Sequence, residues 1–381
     1  MEIQDSLFSA VLSGVVATTD EKRAFEGAQV AILLGGFPRS PGMQRGDLIG
    51  KNAGIMKVMG EALERYACRN CKVVMVANPA PTNCIVLASH APSIPKKNIT
   101  CLSRLDHDRM TGMLLHEANR CLNISSGGGG EGGVRRAVLG PADIRGVCVW
   151  GNHSNSQVPD ASAVELFVEA QWVPATSIIR DTAWLDPSAF ANERLDENGD
   201  VVLGLAEAVR GRGAAVLGAR KLSSAMSAAN AIANHLADWL RAPPAKEADE
   251  AAAPAGGAGG GEGTAAVVVS MGVASDQNPF GVPDGLFCSF PVVCTGGGEW
   301  SFAEGFLLKE EAGHQLSLSV KELQEEKAMV AEKLGRDLLG ASPGPQLPPI
   351  PAAAPTNLNA GGGAGSGSGG TNGNATPISS L

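Results

Sequence analysis

The apolar residues of this chain fall into short continuous runs separated by stretches with a helical repeat. Ala28-Gln-Val-Ala-Ile-Leu-Leu-Gly35 reads as a buried strand, stopped by the breaker-rich Gly35-Gly-Phe-Pro-Arg-Ser-Pro-Gly42. From Asp47 to Ala67 the positions Leu48, Ile55, Val58, Met59, Ala62 and Leu63 recur at helical spacing, and Lys72-Val-Val-Met-Val-Ala77 reads as a second strand. Strand, helix and strand in that order predict a βαβ unit. Gly146-Val-Cys-Val-Trp150 is a further strand that ends in the polar turn Gly151-Asn-His153, a place where function often sits. Arg220–Trp239 is predicted as a Ser/Ala-rich helix, Ala265–Met271 and Leu286–Val293 as strands, and Val320–Leu339 as a charged amphipathic helix. The pattern predicts an α/β part over residues 1–103, then an α+β part over 104–340. Residues 341–381 offer almost nothing to bury and are predicted to be a disordered tail.

Composition changes this picture in one respect. The 381 residues are 44% hydrophobic and 18% charged, ordinary for a globular chain, but 49 glycines are about twice the usual share. Nearly half of them lie in four clusters, Gly127–Gly133, Gly256–Gly263, Gly296–Gly298 and Gly361–Gly373. The chain therefore reads as a conventional domain pair interrupted by low-complexity inserts, near 125–135 and 243–264, rather than as a collagen-like or wholly disordered protein.

A net charge of −9 with no Lys/Arg block leaves no footprint for nucleic acid or anionic lipid. The apolar runs are strand-sized, far short of the roughly 18 residues of a membrane span. Leu7–Ala17 imitates the apolar core of a signal peptide, but Glu2 and Asp5 precede it where a signal has basic residues. Eight scattered cysteines without framework spacing point to reduced thiols and a cytoplasmic protein. Cys68-Arg-Asn-Cys71 is a lone CxxC without a second ligand pair.

Some patterns invite a function that their setting denies. Gly127, Gly129 and Gly132 satisfy G-x-G-x-x-G, but the motif should leave a buried strand and open a helix. Here it follows Asn123-Ile-Ser-Ser and precedes Val-Arg-Arg, so it is read as part of an insert. His90, His107, His116, His235 and His314 have no metal-ligand spacing, and no metal is implied. Met56, Met59, Met110 and Met113, at helical intervals, read as core filling.

An ordered set of motifs carries the chemistry. Phe37-Pro-Arg-Ser-Pro-Gly-Met-Gln-Arg45, Ala77-Asn-Pro-Ala-Pro-Thr-Asn83, Leu102-Ser-Arg-Leu-Asp-His-Asp-Arg109 and Val149-Trp-Gly-Asn-His-Ser154 are followed by Ala219-Arg-Lys-Leu-Ser-Ser-Ala-Met-Ser-Ala-Ala229 and Val269–Pro283. Together they resemble the malate dehydrogenases, in the cytosolic-type branch of the lactate/malate dehydrogenase family, over about residues 1–340 apart from the inserts. The resemblance implies an incomplete Rossmann-type parallel sheet followed by an α+β catalytic domain. It also implies NAD as cofactor, malate and oxaloacetate as substrates, and a homodimer.

Reversible oxidation of an alcohol by hydride transfer requires a proton acceptor, a polarising cation and an anchor for the substrate. The resemblance puts the general acid/base on His153, whose imidazole titrates nearest neutral pH. Its carboxylate partner falls on Asp106, and Arg109, on the same helical face, clamps the substrate's C1 carboxylate. Arg39 and Arg45 flank a loop that resembles the family's mobile lid. Arg39 pairs with the distal carboxylate, which disfavours lactate-type substrates, and Arg45 polarises the reacting carbonyl. Asn78 matches a contact to both the hydroxyl oxygen and the nicotinamide, Asn52 and Ala77 match cofactor contacts, and Ser223 matches a substrate-pocket hydroxyl. Two departures stand out: Met59 replaces a Gln frequent in the branch, and Ser40-Pro41 replaces the usual basic-acidic pair.

The family's opening strand, glycine turn, helix and second strand have no counterpart here, since Met1-Glu-Ile-Gln-Asp5 resembles the middle of a family segment. The sequence is accordingly read as an incomplete copy of an active dehydrogenase. The alternative is a catalytically impaired remnant that serves as a dimerisation or binding partner. In either case the strand at Ala28–Leu34 is predicted to have an exposed edge.

Overall fold

The computed structural model describes residues 11–37, 45–186, 194–195, 201–241, 267–306, 308–335 and 338, apart from the insert at 126–137 and residues 196–200, with the side chains of residues 45, 123–125, 194–195, 201–202 and 267 left aside. Both low-complexity inserts and the 341–381 tail lie outside the described residues.

The chain opens with α1 (Glu21–Phe25), β1 (Val30–Leu33), α2 (Arg45–Tyr66), β2 (Lys72–Met75), α3 (Ala80–His90) and β3 (Ile99–Cys101). Next come α4 (Arg104–Ser125) and the short strands β4 (Ile144–Arg145), β5 (Cys148–Trp150), β6 (Val158–Asp160), β7 (Glu165–Val168) and β8 (Gln171–Pro174). After these stand α5 (Thr182–Leu185), β9 (Arg194–Leu195), β10 (Val201–Val202), α6 (Leu205–Arg220) and α7 (Met226–Leu240). β11 (Val267–Ala274), β12 (Phe287–Gly296), β13 (Glu299–Phe302) and α8 (Glu310–Leu334) complete the order.

β1, β2 and β3 pair in parallel, as the βαβ pattern predicts. The antiparallel hairpins β11–β12–β13 then continue the same sheet, in the order β1-β2-β3-β11-β12-β13. The link is the pairing of Gly272 with Cys101. One six-stranded mixed sheet thus joins the first part of the chain to the second.

Side-chain alternation along β3 shows why both faces are covered. Thr100 turns its hydroxyl to His235 of α7 at 3.0 Å, while Cys101, one residue on, meets the Cys84 thiol of α3. β2 and β3, central strands, are buried throughout, as are the first six residues of β12. β1 behaves differently. Ala31 and Leu33 point into the core, but Val30 and Ile32, on the other face, are about 40% exposed. β1 is one of the two edge strands of the sheet among the described residues, β13 being the other.

Several element boundaries correct the sequence reading. The helix expected over Arg220–Trp239 starts later: Lys221 takes a left-handed conformation (φ 60°) that closes α6, and α7 begins only at Met226. α6 itself has no counterpart in the sequence reading, since Gly211, Gly213 and Gly218 dilute its helical propensity. α8 begins ten residues before the expected Val320 and closes at Gly335, whose amide returns to the Ala331 and Glu332 carbonyls. The glycine cluster Gly296–Gly298 is a structured turn. All three residues have positive φ, between 65° and 80°, and they form the turn between β12 and β13, a conformation that side chains would strain.

Candidate active site

α4 leaves the C-terminal end of β3, where an open α/β sheet presents its ligand crevice. Asp106 lies in its first turn and Arg109 one turn on, so both side chains share a face. Arg109 Nη1 donates to Asp106 Oδ1 at 2.9 Å, and His153 Nδ1 stands 2.6 Å from Asp106 Oδ2. Asp106 is 1% exposed and His153 19%. One carboxylate therefore holds a cation on each oxygen when the imidazole is protonated.

The electrostatics follow from this geometry. Burial opposes ionisation of Asp106, but the adjacent His153 and Arg109 outweigh it and hold the carboxyl below its usual range. Burial also opposes the imidazolium, yet the charge and hydrogen bond of Asp106 prevail, with Arg109 acting against them, and His153 sits above the ordinary histidine value. With Nδ1 turned to the carboxylate, the His153 Nε2 is the nitrogen that can exchange a proton with a substrate.

His107, next in sequence, does something else. Ser270 Oγ accepts from the Val149 amide at 2.9 Å, which leaves its hydroxyl proton for His107 Nδ1 at 3.0 Å. Burial first, and then Arg104, push His107 down to about 3, which favours its neutral form near neutral pH. Through Ser270 it fixes β5, the strand that carries the His153 turn. Ser289 adds to this: its hydroxyl donates to the Val149 carbonyl at 2.6 Å and its backbone exchanges two bonds with Gly151.

Asn78 lies just past β2 with its side chain exposed, and its carbonyl accepts from Asn52 Nδ2 at 2.9 Å. Asn52, expected as a cofactor contact, is fully buried, and its amide also pairs with the Phe37 backbone at 2.5 and 3.3 Å. It braces Asn78 from behind. Ala77 is buried, its carbonyl taken by Asn83 Nδ2 at 2.8 Å. The exposed Asn78 amide, a paired donor and acceptor at the strand ends, matches what a carboxamide-bearing nicotinamide needs. The residues present thus fit the nicotinamide end of a dinucleotide.

Ser223 is exposed in the loop between α6 and α7, and its neighbour Ser224 is the residue that receives Arg109 Nη2, at 3.2 Å. Sequence reasoning missed Ser224, since two adjacent serines carry no signal for which one turns inward. Arg109 also lines a cleft of about 870 Å³ between α4, α6 and α7, together with Leu105, Met113, Trp184 and Asn230. Arg39 lies outside the described residues, as does the Gly127–Gly132 motif, and of Arg45 only its place at the start of α2 is described. Cys71 is buried and its thiol is pushed up to about 11, while Cys68 donates to the Gly27 carbonyl at 3.2 Å. No group of three or more metal-binding side chains occurs among the described residues, and none of the described helices is long and apolar enough to cross a membrane.

Residues 1–100 match the lactate/malate dehydrogenase NAD-binding domain, and residues 137–334 match the α/β C-terminal domain of the same family. A malate dehydrogenase of Nicotiana tabacum is 40% identical over 329 residues, covering 86% of this chain and 82% of the relative. The cytoplasmic malate dehydrogenase of Gallus gallus is 38% identical over 334 residues, 88% and 83% of the two chains. Among solved structures, malate dehydrogenase from Naegleria fowleri superposes with a TM-score of 0.66 at 34% identity, over 87% of this chain and 82% of that one. Trichomonas vaginalis lactate dehydrogenase in complex with NADH and oxamate gives 0.68 at 26%, over 88% and 84%. The chain belongs to the lactate/malate dehydrogenase family, as an NAD-binding member whose relatives are malate dehydrogenases.

Proposed function

We propose that the protein interconverts malate and oxaloacetate with NAD, and that His153 and Asp106 form its proton relay. The observation that carries this reading is the 2.6 Å contact between His153 Nδ1 and a buried carboxylate that also binds Arg109. NAD supplies the two-electron acceptor for the hydrogen on the alcohol carbon. In malate oxidation His153 Nε2 takes the hydroxyl proton, and Asp106 stabilises the imidazolium that results. In the reverse direction the same nitrogen returns the proton to the carbonyl oxygen.

Arg109 retains three N–H donors beyond those given to Asp106 and Ser224, enough for a bidentate grip on the C1 carboxylate. On the family pattern Arg39 grips the distal carboxylate, Arg45 polarises the carbonyl and Ser223 borders the substrate. Asn78 orients the nicotinamide, with Asn52 and Ala77 supporting it from the strand end. The names of the cytoplasmic relatives support a cytoplasmic site of action. Exposed Leu217, Leu222 and Met226 around the end of α6 support self-association as a homodimer.

The test is NADH titration by fluorescence together with oxaloacetate reduction. His153→Asn is expected to abolish turnover while NADH binding persists, and turnover retained in that variant refutes the relay. Arg39→Gln is expected to erode the preference for oxaloacetate over pyruvate.

A further inference from the structure

α8 presents Ser319, Glu322 and Glu326 at spacings of three and four residues, on one face. That face is turned to the loop that holds His153. Glu326 is 0% exposed, and a carboxylate is buried at high cost unless its oxygens are hydrogen-bonded. One oxygen, Oε2, accepts from the Thr82 hydroxyl, and the other, Oε1, accepts from Asn152 Nδ2 at 3.3 Å. Thr82 stands in the first turn of α3, four residues after Asn78. Asn152 immediately precedes His153. A single carboxylate therefore spans the nicotinamide side of the site and its proton-transfer side.

Glu322 and Ser319 secure the rest of the loop. Glu322 Oε2 accepts from Asn152 Nδ2 at 2.9 Å and from the Ser154 and Ser156 hydroxyls, both at 2.5 Å. Ser319 Oγ accepts from the Asn152 amide at 2.7 Å. It lies where a side chain on Gly151 would fall, 2.4 Å from an added Cβ, and Gly151 has φ +88°. The residues on both sides of His153 are thus anchored to α8, while His153 itself reaches away to Asp106 on α4.

We infer that Glu326 is a positioning residue: it sets the separation between the Asn78 turn and His153, so that hydride transfer at the substrate carbon and proton transfer at its oxygen occur on one C–O group. The inference rests on the proposed relay, and its test separates the two. The full chain, labelled at histidine, is titrated by NMR, with the His153 signal assigned through His153→Asn, and kcat and KM are measured in parallel.

Wild-type His153 is expected to titrate above about 6.5. Among the described residues, Asp106 and Arg109 are the charged groups that act on it. Glu326→Leu is expected to lower that midpoint by at least about half a unit and kcat by about tenfold, the weight of hydrogen bonds to a charged group, with KM for oxaloacetate nearly constant. Glu326→Gln restores most of both, because its amide accepts from Asn152 and donates to Thr82 Oγ1. Thr82→Val, which keeps the shape and removes one donor, is expected to lower kcat by about threefold or more, with recovery in Thr82→Ser; it serves equally should Glu326→Leu fail to fold. A folded Glu326→Leu, or Thr82→Val, with wild-type midpoint and kcat overturns the inference. Equal shifts in the Leu and Gln variants overturn it too, since charge and not position would then act. A wild-type midpoint at the ordinary value instead refutes the relay itself.

Discussion

Replacement of Asp106 by Asn tests the electrostatic core of the site. The amide keeps the shape of the carboxylate but removes the charge that opposes the desolvation of His153. A hydrogen bond to a charged group contributes about 1.5–3 kcal/mol, and one pKa unit corresponds to about 1.36 kcal/mol. The His153 midpoint in Asp106→Asn is therefore expected to fall by about one to two units, to the ordinary histidine value or below it, as burial and Arg109 then act unopposed. The same energy stabilises the imidazolium in the transition state, so the maximal rate is expected to fall by about 10- to 100-fold. Oxaloacetate reduction needs the protonated imidazole, and its rate declines as pH rises through the His153 midpoint. The pH profile of kcat/KM for reduction should thus shift to lower pH in the variant, and malate oxidation should gain its base form earlier. An unchanged profile with an unchanged rate would show that Asp106 does not govern the proton on His153.

Stability should carry the same signature. The raised value of His153 contributes stability that is full below the unfolded histidine value of about 6.5 and is lost as pH rises through the folded one; the lowered value of Asp106 contributes above about 3.9 and is lost as pH falls. The difference in Tm between wild type and Asp106→Asn is therefore expected to be larger near pH 5.5 than near pH 9, and a pH-independent difference would count against the pair. Gly151→Ala puts a Cβ against Ser319 at a positive φ. Backbone strain of about 1–3 kcal/mol and overpacking of similar size should lower stability by about 2–6 kcal/mol in denaturant unfolding, and a neutral effect would show that the loop is not pinned to α8.

What could be read from the sequence was local or motif-borne. The parallel unit β1-α2-β2, the strand before Gly151 and the core placement of Met56 and Met110 follow from hydrophobic periodicity, which reports burial directly. Asp106, Arg109 and His153 were found through ordered motifs, and for the first two the helical spacing alone implies a shared face. Where glycines thin the pattern, as at Gly211, Gly213 and Gly218, periodicity did not mark α6, because packing rather than propensity holds that helix.

The tertiary structure decided matters between residues far apart in the chain. Nothing in the sequence distinguishes Asn52 as a brace from Asn52 as a ligand contact, or Ser224 from Ser223, since which way a side chain turns is settled by what packs around it. Nor does a Glu-rich helix near the end of the fold announce that Glu326 is buried between Thr82 and Asn152. By its composition α8 is a solvated amphipathic helix. Only the packing of its inner face against the His153 loop turns two of its carboxylates into acceptors for the donors on that loop.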